Sequence, residues 1–120
     1  MKDFRVIFMG TPDFSVPCLA ALHAATHVLG VVTQPDKPRG RGQKLTAWAE
    51  KNGLPVWQPK KVRETAFVDF LKEQNPDLII VVAFGQILSQ DILDIPPLGC
   101  INVHASLLPA YRGAAPMQWC

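Results

Sequence analysis

No apolar run in this sequence is long enough to span a bilayer as a helix. The start, Met1-Lys2-Asp3-Phe4-Arg5, leads straight into a strand pattern and lacks the apolar core of a secretory signal. Cysteine is scarce. Cys18, Cys100 and Cys120 are far apart and odd in number, so neither a disulfide framework nor a paired metal-ligand spacing is expected. Free thiols, a cytoplasmic setting and no metal follow as the simplest expectations, with neither DNA nor a membrane as partner. Two glycine patterns are also missing. Gly10 stands alone where a dinucleotide site needs Gly-x-Gly-x-x-Gly, which excludes a nicotinamide reading. Ser106 lacks the flanking glycines of an activated serine, which argues against a covalent acyl-enzyme.

What remains is globular. Apolar residues make up 48% and charged residues 18% of 120 residues, the size of one domain. The net charge is +2, unevenly placed. Between Asp36 and Lys44 four cations (Lys37, Arg39, Arg41, Lys44) face one anion, so this stretch carries +3 and the remainder −1. Two prolines and two glycines between Gln34 and Lys44 preclude regular structure there. Cations set among glycines suit either a solvated loop or an arm that moulds to phosphates.

The elements alternate. Arg5 to Met9 reads as a buried strand ending at Gly10. Thr11 to Phe14 turns, and Ser15 and Pro17 open a helix carrying Val16, Leu19, Ala20, Leu22 and His23 on its apolar side. His27 to Thr33 is a second strand, parallel to the first by the crossover rule. Leu45 to Asn52 is a short helix stopped by Gly53, and Leu54 to Trp57 a brief strand. Val62, Ala66, Phe67, Phe70 and Leu71 mark a helical stripe that ends at Asn75-Pro76. Leu78 to Ala83 is continuously apolar, as befits a parallel strand covered on both faces. Phe84 to Leu88 lies at its carboxyl end, and Asp91 to Ile95 forms a helical turn before Pro96-Pro97. The predicted fold is α/β, Rossmann-like, a mostly parallel sheet with flanking helices, cut short.

The chain converges on Ile101-Asn102-Val103-His104. Asn102 and His104 are two apart, so in a strand both point to one face, while Ile101 and Val103 point to the other. An amide and an imidazole then sit together where a strand opens into a loop. In open parallel sheets that edge binds ligands. The amide can donate to an oxygen that becomes negative in a tetrahedral state, and the imidazole can donate or carry a proton. This suits acyl transfer to an amine by direct attack. By spacing alone a structural histidine at a strand end is the commoner case.

Asn102-Val103-His104-Ala105-Ser106-Leu107-Leu108-Pro109, followed by Tyr111-Arg112-Gly113-Ala114-Ala115-Pro116, resembles the signature of the folate-dependent formyltransferases, in particular those acting on methionyl initiator tRNA. Gly10 to Phe14, Thr33 to Asp36 and Gly40-Arg41-Gly42 resemble the same family. The resemblance implies a transferase of protein biosynthesis, moving formyl from 10-formyltetrahydrofolate to the amine of methionyl initiator tRNA at translation initiation. It implies catalytic roles for Asn102 and His104. The folate would be held by Ser106, Leu107, Leu108 and Pro109, with Phe84, Gly85, Ile87 and Leu88 lining the pterin pocket. Arg39, Arg41 and Lys44 would contact tRNA. The chain departs from the family after Leu45, where several residues including a Ser-Pro are missing. A catalytic aspartate, the rest of the sheet and a second, tRNA-binding domain are expected beyond residue 120. Residues 1–120 would then be a partial amino-terminal domain, inactive alone. The alternatives are a transformylase acting on a sugar or ribonucleotide amine, and a non-catalytic folate-binding remnant.

Overall fold

The computed structural model describes residues 3–11, 15–34, 43–82, 84 and 88–103. The described elements are β1 (Arg5–Gly10), α1 (Val16–Ala25), β2 (His27–Val32), α2 (Gln43–Lys51), β3 (Val56–Trp57), α3 (Thr65–Gln74), β4 (Leu78–Val82), α4 (Gln90–Leu93) and β5 (Cys100–Val103). The five strands form one sheet in the order β3-β2-β1-β4-β5, and every described pairing is parallel. The chain therefore starts in the middle, winds outward to β3, then crosses back over β1 to build the other half. All five strands point their carboxyl ends to one edge, and the order reverses between β1 and β4.

Period-two alternation splits the core into two layers. Val6 and Phe8 of β1 pack with Leu19 and Leu22 of α1 and Leu45 and Ala49 of α2. Ile7 and Met9 pack on the opposite face with Val68 and Leu71 of α3 and Ile92 of α4. β1 and β4 are covered on both sides, which is why their sequences are continuously apolar. The shift of pairing between Val6 and Ile7 skips Leu29, a bulge that returns Val31 to one layer and Val32 to the other.

Several sequence boundaries move. Ser15 caps α1 in helical conformation without a side-chain cap bond. Lys44 belongs to α2, in its first turn, rather than to the preceding loop. The α3 stripe is carried by Val68 and Leu71, with Phe67 and Phe70 packed half-buried beside them as expected, while Ala66 is exposed and Val62 packs from the turn before the helix. Asn75 ends α3 in the left-handed conformation at φ 54°. Leu98 and Gly99 form the turn into β5, Gly99 at φ +89°, so the strand starts at Cys100. Among the described residues Cys100 is a free thiol, as expected.

The amino edge carries a clamp that the sequence did not announce. The Arg5 guanidinium donates to the Gln74 carbonyl at 2.6 Å and the Asn75 carbonyl at 3.0 Å. Its backbone N–H donates to Asp77 Oδ2 at 2.9 Å. A cation thus sits on the orphan carbonyls of the α3 carboxyl terminus, where the helix dipole favours it.

Candidate active site

Register places Asn102. It pairs with Val81, which pairs with Met9, which pairs with Val32, so these four form one row across the sheet. Paired residues of parallel strands share a face. Val32, Met9 and Val81 are buried in the α3/α4 layer, and Asn102 continues that row as its exposed polar end. Cys100, two residues earlier, packs on the same layer. Ile101 and Val103 turn the other way, and Val103 is 1% exposed in the α1/α2 layer. The strand is thus anchored through its odd-numbered residues and presents Asn102 near its carboxyl end. Among the described residues the Asn102 carboxamide has no side-chain hydrogen bond. Its N–H donors are free for a ligand.

His104 and the Ser106-Leu107-Leu108-Pro109 segment lie outside the described residues, as do Gly85, Ile87, Arg39 and Arg41. Lys44 is exposed at the start of α2. Phe84 is 2% exposed with its ring in the α3/α4 layer, and Leu88 packs half-buried against that layer. Cys100 is the described thiol nearest Asn102 in sequence. Burial pushes its pKa up to about 11, so it stays protonated near neutrality and is a poor nucleophile.

The rest of this edge is polar, with Thr11 and Thr33 buried, Gln34 half-buried and Gln58 exposed, and sequence reading missed it. Thr11 follows β1, and its Oγ1 donates to the Phe84 carbonyl at 3.0 Å. Gln34 lies two residues past β2, and its Nε2 donates to the same carbonyl at 2.7 Å. Gln58, just after β3, donates to the Gln34 carbonyl at 3.4 Å. Thr33 is 1% exposed, and its hydroxyl has no hydrogen-bond partner. The available signal was a polar residue directly after an apolar strand, at Gly10-Thr11 and at Thr33-Gln34. Gly10 is needed here for space. A Cβ on it would stand 2.9 Å from Phe8 Cε2 and 3.1 Å from the Val82 carbonyl oxygen, so β1 and β4 approach closely at the reversal point.

The family model described as formyl transferase matches residues 4–120. A methionyl-tRNA formyltransferase from Clostridioides difficile is 58% identical over 121 residues, covering 96% of this chain and 39% of that protein. One from Agathobacter rectalis is 61% identical, again over 96% of this chain and 39% of its own length. The chain therefore spans about two fifths of these relatives. Among solved structures, a phosphoribosylglycinamide formyltransferase from Brucella melitensis superposes with a TM-score of 0.64 at 23% identity, over 94% of this chain and 62% of that one. That likeness concerns the fold: the same wound sheet underlies both. A wound parallel sheet, a carboxamide presented at its carboxyl edge and a family match over nearly the whole length meet in one conclusion: the chain belongs to the formyl transferase family.

Proposed function

We propose that this chain is the donor-binding, amino-terminal part of an enzyme that transfers formyl from 10-formyltetrahydrofolate to the amino group of methionyl initiator tRNA. The observation that carries the reading is Asn102, whose uncommitted carboxamide is presented near the carboxyl end of β5 between half-buried Ile101 and buried Val103. The names of the relatives support tRNA as acceptor carrier.

In the reaction the amine nitrogen adds to the formyl carbon. The carbonyl oxygen becomes an oxyanion, and Asn102 donates an N–H to it. His104 supplies a second donor, or takes the proton that the amine loses. The bond to N10 of the folate then breaks, N10 gains a proton, and the formamide leaves on the tRNA. No enzyme nucleophile is required, in keeping with the protonated state of Cys100. Arg39, Arg41 and Lys44 contribute phosphate contacts. The relatives are longer than this chain, and the carboxylate and tRNA-binding domain that the family resemblance implies are assigned to that further length.

The test grafts this chain onto the remainder of the Clostridioides difficile relative and measures formylation of methionyl initiator tRNA. Asn102→Ala should lower kcat by roughly 100- to 1,000-fold, the effect of losing one oxyanion donor. Stability should stay within about 0.5 kcal/mol, because the side chain is exposed. Full activity in Asn102→Ala would refute the assignment. Replacing Arg39, Arg41 and Lys44 should flatten the log–log salt dependence of tRNA binding by roughly 0.7–0.9 per lost contact. Preferred formylation of a sugar amine or of glycinamide ribonucleotide would favour the related transformylases. Folate binding without any turnover in the graft would favour a binding remnant. The ungrafted chain should be inactive, and turnover within about tenfold of the relative would contradict its partial role.

A further inference from the structure

Asn52 and Gly53 form the turn between α2 and β3, at the amino edge of the sheet and so at the far end from Asn102. Both are exposed. They border a cavity of about 520 Å³ that His23, Thr26, His27 and Leu54 also line. Gly53 stands at φ +76°, and a Cβ built on it would meet no heavy atom within 4 Å. The pair is tied to the helix. Asn52 Nδ2 donates to the Trp48 carbonyl at 2.8 Å, and the Gly53 N–H donates to the Glu50 carbonyl at 3.1 Å. These bonds serve carbonyls that the last turn of α2 would otherwise leave orphaned.

An asparagine before a glycine carries its own reaction. The glycine nitrogen can attack the carboxamide carbon, and no Cβ crowds the approach. The chain has three asparagines, and the other two are shielded. Pro76 follows Asn75 and has no N–H to lose. Val103 follows Asn102, is β-branched, and is 1% exposed within β5. We propose that Asn52-Gly53 is a site of spontaneous deamidation, gated by the last turn of α2. The Gly53 nitrogen gives up its proton and bonds to Cγ of Asn52. The bond from Cγ to Nδ2 breaks, and ammonia leaves with that proton, which closes a succinimide. Water then adds to either ring carbonyl and reopens the ring. The product is aspartate or isoaspartate at position 52.

The two hydrogen bonds form the gate. While Nδ2 is held on Trp48 and the Gly53 nitrogen on Glu50, neither the leaving group nor the nucleophile can reorganise. The turn must open first, and a helix end opens at small cost. The product does not close again as before. A carboxylate has no N–H for the Trp48 carbonyl, and it sits at the negative end of the α2 dipole. Isoaspartate also lengthens the backbone just before Leu54, whose N–H donates to the Ala49 carbonyl at 2.9 Å. Deamidation thus loosens the join between α2 and β3.

The experiment ages the 120-residue chain in mildly alkaline buffer and reads each asparagine by peptide mass spectrometry. Position 52 should convert first. It should convert roughly tenfold or more slowly in the folded chain than in the urea-unfolded chain, since opening breaks two hydrogen bonds. Ala47→Gly, an exposed change that weakens α2, should speed the folded-state reaction roughly fivefold. Urea below the unfolding transition should barely alter the rate, because one turn exposes little surface. Asn52→Asp, which installs the charge of the product, should raise the unfolding equilibrium constant roughly tenfold. Equal rates in the folded and unfolded chain, or no response to Ala47→Gly, would remove the gate. A folded-state rate that climbs steeply with urea would assign the opening to global unfolding and remove it equally. Unchanged stability in Asn52→Asp would overturn the loosening. Acid appearing first at position 75 or 102, or none at 52, overturns the site itself.

Discussion

Gly30 in the middle of β2 has no side chain because Trp57 occupies the space. A Cβ built on it would lie 2.4 Å from Trp57 Cη2 and 2.7 Å from both Cζ2 and Cζ3. Ordinary carbon contacts are about 3.5–4.0 Å, so in Gly30→Ala the indole must retreat by about 1 Å or more. It cannot slide freely, since its other side meets Phe70 edge-on with ring centroids 4.8 Å apart. Overpacking of this kind costs about 1–3 kcal/mol, and disturbing the aromatic pair adds about 0.5–1.5 kcal/mol. Reduced chain entropy in the unfolded state returns about 0.4–1 kcal/mol. The net expectation is a loss of about 2 kcal/mol in equilibrium urea unfolding followed by circular dichroism. The cycle with Trp57→Val decides the cause. With the ring gone, the new methyl has room, so the double variant should lose at least about 1 kcal/mol less than the two singles together. Additivity within about 0.5 kcal/mol would refute the steric argument.

Two other expectations follow from described contacts. Arg5→Met removes the guanidinium from the α3 carboxyl terminus and should cost about 1–2 kcal/mol, read as a lower thermal midpoint; Arg5→Lys, lacking the planar fork, should recover only part. For Cys100 the folded pKa, about 11, lies above the ordinary 9.0, so the folded state holds its proton more tightly. The contribution to stability is complete below pH 9.0 and is lost as pH rises towards 11. Alkylation of the native chain should accordingly climb across that window. In Cys100→Ala the stability decline over the same interval should be shallower, and an identical decline would refute the role of burial.

Much of the fold was legible because its signals are local. Continuous apolar runs at β1 and β4 and the alternation along Ile101-Asn102-Val103 follow from side-chain geometry in a strand, and the structure reproduces them. The outward placement of Asn102 was legible this way, and its exposure beside a buried Val103 follows from the same alternation. Lys44 was misplaced because helix starts depend on how the preceding loop packs, which no short window contains.

The order of strands and its reversal between β1 and β4 could be expected as a class, but which residues meet there could not. Thr11, Gln34 and Phe84 are separated by tens of residues, and each is unremarkable in its own neighbourhood. Gly30 reads as a weak point in a strand until Trp57 is laid against it. Arg5 reads as a surface charge until the end of α3 arrives beside it. Periodicity records which face a side chain takes. Only the folded sheet, by bringing distant strand ends within hydrogen-bond reach, decides what that face touches.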